Sequence, residues 1–140
     1  MSISERSEEQ IAVALDYVQG KRRIEHVIEA ASALAQRHAD EPDPQRRLNL
    51  TFELIRRNFG PQVAVSLGEF STRTSDFSTG SGTLERRFEF TGPDGRRGHL
   101  HARYTPPGTL GLTGSEWASA MVLLAQVTGL GIGGRVTCLP

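Results

Sequence analysis

The chain is almost without cysteine: Cys138 is the only one in 140 residues. A lone thiol excludes an intramolecular disulfide, and with four scattered histidines it excludes a cysteine-rich zinc site, so a cytoplasmic protein is expected. There is no excess of charge of either sign, since sixteen Lys+Arg balance sixteen Asp+Glu. The residues before Gly60 are as near neutral (nine basic, ten acidic) as those after it (seven basic, six acidic), so no electrostatic footprint for nucleic acid is present. Long apolar runs are missing as well. Nothing approaches the roughly 18 to 20 consecutive apolar residues of a membrane span, and residues 1–10 carry four charges in place of a signal-peptide apolar stretch. Aromatics are sparse at 6%, yet 37% apolar and 23% charged residues keep the chain out of the disordered class and supply one modest core.

What is present falls into periodic segments. Ser7-Glu8-Glu9-Gln10 matches a capping box, and Ile11, Leu15 and Val18 follow at helical spacing until Gly20, which is expected to weaken or end that helix. Ile24, Val27, Ile28, Ala31, Leu34 and Ala35 form a narrow, alanine-rich stripe that predicts a second helix over 21–39. Asp43-Pro44 is a good helix start, and Leu48, Phe52, Ile55 and Phe59 step along a third helix stopped by Gly60-Pro61. The period then changes to two. Val63, Val65 and Leu67 predict a strand. Leu84, Phe88 and Phe90 predict a second and Leu100, Ala102 and Tyr104 a third, joined as a hairpin across Gly92-Pro93-Asp94-Gly95. Each has one apolar and one charged face, so the sheet is expected to be antiparallel with helices on one side. After Pro106-Pro107-Gly108, Thr113-Gly114-Ser115-Glu116 reads as a capping box for an apolar helix bearing Trp117, Met121 and Leu124. The expected division is a helical segment at 1–41, an α+β core at 42–128 and a glycine-rich tail or linker at 129–140.

Few residues suggest chemistry. His99 and His101 project from one strand face, but the spacing more readily gives a charged sheet face on which they and Arg103 pair with Glu85 and Glu89 across the hairpin. His26 and His38 are expected at the surface. Gly80-Ser81-Gly82 lacks the setting of a nucleophile elbow, Cys138 has no histidine neighbour, and the glycines of 129–134 follow a helix and lack a Walker lysine. The five Arg-Arg dyads at 22–23, 46–47, 56–57, 86–87 and 96–97 are interleaved with acids, which describes a solvated face better than an anion site. Residues 71–82, seven of them Ser or Thr, are expected to give an edge strand through Thr72 and Thr74 and then a flexible loop from Ser78. Phe70, Phe77, Phe88, Phe90 and Tyr104 supply either core or the wall of a ligand pocket. No catalytic constellation, metal site or cofactor is expected.

The order of elements, with Val63, Val65 and Leu67 on the first core strand, the 98–104 segment as the last, and Leu112-Thr113-Gly114-Ser115-Glu116 leading into the closing helix, resembles the GAF family of small sensor domains. Leu123-Leu124-Ala125-Gln126 echoes that family's apolar-Ala-Gln phrase, and the resemblance covers roughly residues 44–128. It implies an α+β sensory or regulatory domain of a bacterial-type signalling protein, without enzymatic activity, that relays ligand or partner binding to an attached or separate output module. The candidate ligand residues are Phe70, Phe77, Phe88, Tyr104, His99 and His101. The sheet has little room for three N-terminal helices, so Ile11, Leu15, Val18, Ile24, Val27, Ile28, Ala31 and Leu34 are expected to form a homodimer interface. The alternative for those helices is a hairpin folded back on their own sheet. The alternative function is a protein-protein docking module with no small-molecule pocket: a cavity lined by Phe70, Phe77, Phe88 and Tyr104 favours the sensor, and a filled sheet face with an extended apolar helical surface favours the docking module.

Overall fold

The computed structural model describes residues 3–60, 62–77, 84–92, 94–104 and 110–139. The expected break at Pro106-Pro107-Gly108 and the loop from Ser78 to Gly82 lie outside the described residues. The order is α1 (Ile3–Asp40), α2 (Pro44–Asn58), β1 (Gln62–Leu67), β2 (Phe70–Arg73), β3 (Leu84–Thr91), β4 (Arg97–Tyr104), α3 (Gly114–Ile132) and β5 (Arg135–Leu139). The class is α+β: all neighbouring strands pair antiparallel in one sheet, ordered β2-β1-β4-β3-β5, and helices cover one face.

The signals at helix ends act as the sequence predicts for α2 and α3. The Asp43 carboxylate accepts from the Gln45 N–H at 3.1 Å, with Pro44 opening the helix. Thr113 Oγ1 accepts from the Glu116 N–H at 3.2 Å while the Glu116 carboxylate accepts from the Thr113 N–H at 2.8 Å, so both halves of the capping box are made. Alternation places Val63, Val65, Leu67, Phe88, Phe90, Leu100, Ala102 and Tyr104 against α2 and α3, where all are buried. Trp117 seals this layer. It is 1% exposed, stacks on Tyr104 with ring centres 5.1 Å apart, and donates its indole N–H to the Phe59 carbonyl at 2.9 Å.

Four expectations are corrected. Gly20 does not interrupt a helix, and Ser7 is not a cap: α1 runs unbroken through both, because one glycine costs only about 1 kcal/mol relative to alanine and is outweighed by the helix on either side. Residues 3–40 form one helix, so the two separate helices expected before Pro42, and their hairpin alternative, are not found there. The glycine-rich end is not a tail. α3 continues through Gly129 to Ile132, Gly133 caps it with a left-handed φ of 82°, and β5 pairs with β3 from Thr91 opposite Arg135 to Arg87 opposite Leu139. Gly134 is required by proximity, since a Cβ there would lie 2.1 Å from the Thr91 carbonyl oxygen.

α1 forms a third layer. It packs on α2 and α3 and on no strand, and only its second half is docked. Val27, Ala31, Leu34 and His38 face the body and are buried, whereas residues 7–19 are exposed all round. Arg23 marks where the helix leaves the body, its Nε donating to Glu116 at the start of α3 across 3.0 Å.

Candidate functional site

The expected aromatic pocket wall is not assembled. Phe88 and Tyr104, only 1% and 3% exposed, lie in the filled layer beneath the helices with Phe90, and the Tyr104 hydroxyl donates to the Leu112 carbonyl at 2.8 Å. Phe70, opposite Leu67 at the β2 edge, packs half-buried against the same core. Phe77 is on the other face of the sheet. These rings therefore line no common cavity: strand alternation sends Tyr104 to one side and its neighbours His101 and Arg103, which carry Phe77, to the other.

That open face is ordered by pairing. β4 sets His99 opposite Glu89, His101 opposite Arg87 in the next row of that face, and Arg103 opposite Glu85 in the row after. His99 Nε2 lies 3.6 Å from Glu89, its Nδ1 lies 3.5 Å from the Ser66 hydroxyl, and His101 Nε2 contacts the Glu85 carboxylate. The two histidine contacts are the cross-hairpin pairing the sequence predicts. The Phe77 ring meets His101 edge-on at 4.8 Å, the Arg103 guanidinium lies 4.7 Å over that ring, and Arg103 Nη1 donates to the Phe77 carbonyl at 2.7 Å. Burial pushes the His101 pKa below its ordinary value, against the opposing pull of Glu85. The chemistry available is a polar, half-covered platform, and no group of three or more His, Cys, Asp or Glu among the described residues is placed to hold a metal.

A second polar group was not legible in the sequence. His38, expected at the surface, is 3% exposed at the junction of α1, α2 and α3, while His26 is exposed as expected. Its Nε2 lies 3.2 Å from the Thr51 hydroxyl, which lies 2.8 Å from the Thr128 hydroxyl, which in turn donates to the Leu124 carbonyl at 2.7 Å. Nδ1 has no hydrogen-bond partner among the described residues and lies where a Cβ on Gly131 would come within 2.3 Å. Desolvation lowers the His38 pKa, and the Arg47 charge acts in the same direction. Arg47 is itself not a solvated dyad member, because its side chain donates to the carbonyls of Glu41 and Gly131. A helical period that puts His38 in line with Val27, Ala31 and Leu34 was the available signal.

Among the described residues, seven of the eight exposed large apolar side chains lie on α1. Of the expected interface residues, Val27, Ala31 and Leu34 are consumed within the chain, which removes them from any interface between copies. Ile11, Leu15, Val18, Ile24 and Ile28 are 44–58% exposed, and the structure adds Val13 and Tyr17 at 71% and 72%. Val13, Tyr17, Gly20 and Ile24 continue the 4-3-4 spacing of Val27, Ala31, Leu34 and His38, so the docked stripe runs on past the end of the body. Beside it a groove of about 340 Å³ between α1 and α3 is lined by Ile24, Ile28, Leu112 and Leu123. Among the described residues no helix is long and apolar enough to cross a membrane. Comparison of the chain with protein-family models, curated proteins and solved structures finds no match.

Proposed function

We propose that this protein is a non-enzymatic, cytoplasmic regulatory module, of the GAF-like kind its sequence resembles, that works by docking through α1 to a second copy of itself. The observation that carries the reading is the free half of α1, apolar on opposite sides. A helix apolar on two sides belongs in the interior of a bundle, not on a surface. Leaving an Ile, Leu or Val side chain in water forgoes about 1.5–3 kcal/mol of burial each, and a helical segment with no packing partner is only marginally stable. A second copy supplies the missing neighbours with a matching surface. The filled sheet face favours docking over ligand sensing, since Phe70, Phe88 and Tyr104 are spent on the core and Phe77 lies on the opposite face of the sheet.

In this reading the body holds α1 in place and passes changes in α1 packing, through the Arg23–Glu116 contact, to α3 and to an output module. Sedimentation equilibrium of the purified protein at micromolar concentration tests it. A dimer is expected, and Leu15→Glu is expected to yield a folded monomer with unchanged circular dichroism from the body. A wild-type protein that sediments as a monomer across that range overturns the reading.

A further inference from the structure

The side of α1 turned away from the body carries its own pattern. Glu8, Ile11, Leu15, Val18 and Arg22 succeed one another at spacings of three, four, three and four, which sets them on one face of the helix, and all five are exposed. Past Arg22 the same face continues through His26, Glu29 and Ala33, so its large apolar residues are confined to the undocked half. The charges at the two ends differ in sign. Glu9 stands beside Glu8 at one end and Lys21 beside Arg22 at the other, and both ends are equally far from Leu15 in sequence.

We infer that this stripe is a self-complementary seam that pairs two copies of the chain in antiparallel sense, with the helices crossing at Leu15. The inference rests on the self-association proposed above and supplies its geometry. In the antiparallel arrangement Glu8 meets Arg22 of the partner subunit, Ile11 meets Val18 of the partner subunit, and Leu15 meets its own symmetry mate. In the parallel arrangement Glu8 meets its own mate, as does Arg22, and like charges stand together at both ends. Glu8 and Arg22 are about 21 Å apart along the helix at 1.5 Å per residue. That exceeds the screening length of about 10 Å at 0.1 M salt, so each end responds only to what faces it across the seam. The crossing is also sterically open, because each body contacts α1 only from Arg23 onward, past the end of the seam at Arg22, and the two bodies fall at opposite ends of the overlapped segments.

Cysteine cross-linking of the full chain tests the seam, in a Cys138→Ser background that removes the one native thiol. Protein carrying Glu8→Cys is mixed with protein carrying Arg22→Cys and oxidised. The expected result is a mixed disulfide joining position 8 of one copy to position 22 of the other, in preference to 8–8 and 22–22 links. Charge reversal gives an independent reading: E8R alone and R22E alone are each expected to weaken self-association by about tenfold, and the double variant E8R/R22E to restore it. Dominant 8–8 and 22–22 links, with single reversals that leave association unchanged, overturn the antiparallel seam while the dimer itself stands. A wild-type monomer overturns both.

Discussion

His38 is one side chain whose burial makes the fold less stable in acid. Buried at a helical junction, it is held neutral below the ordinary histidine value of 6.5, whereas in the unfolded chain it takes up a proton near that value. The unfolded state therefore binds more protons as the pH falls, and stability is full above about 6.5 and declines below it, at a slope of up to about 1.4 kcal/mol per pH unit. His101 shifts in the same direction, so the comparison is between variants: thermal melts from pH 7.5 to 5 are expected to flatten more in His38→Gln than in His101→Gln. Glu116 acts at two places at once, closing the α3 cap and holding Arg23. The Thr113 amide and then Arg23 hold its carboxyl below the usual range. Glu116→Ala is expected to cost about 1–2 kcal/mol in urea titration, most of it from the cap, since a partly exposed ion pair contributes little by itself.

Among the elements, β5 and α1 depart most from what periodicity suggests. β5 offers a short, weakly apolar run after four glycines, and nothing local marks it as a strand. Its position is decided by the unpaired edge of β3, whose N–H and C=O groups need a partner, and by a turn tight enough that only glycine fits beside Thr91. Gly134→Val is expected to destabilise by about 1–3 kcal/mol and to raise amide exchange along β5 well above that of β4, read by hydrogen-exchange mass spectrometry. In α1 the two halves have the same helical period and different neighbours. Amides in the docked segment around Val27 to Leu34 are expected to exchange slowly at any protein concentration. Those of residues 7–20 are expected to be protected in concentrated solution and to exchange faster on dilution.

For the whole molecule, three layers follow from two amphipathic rules. Strands with one apolar face need a cover, and α2 and α3 provide it. Helices that already cover a sheet have an outer side, and α1 docks there through Val27, Ala31 and Leu34. Leu34→Ala is expected to cost about 2–5 kcal/mol, and its effect on the melting temperature reports how firmly α1 is joined to the body.

The sequence by itself determined the elements whose residues respond to their immediate neighbours. The Asp43 and Thr113 caps, the alternation along β1, β3 and β4, and the pairing of His99 with Glu89 are all set by spacings of a few residues, because caps, pleats and cross-strand pairs are short-range. Only the tertiary structure decided which aromatic side chains were core, that His38 was buried, that Gly20 lay inside one helix, and that the chain's last strand joined the sheet. Those outcomes depend on surfaces brought together from opposite ends of the chain, where long-range burial outweighs local propensity.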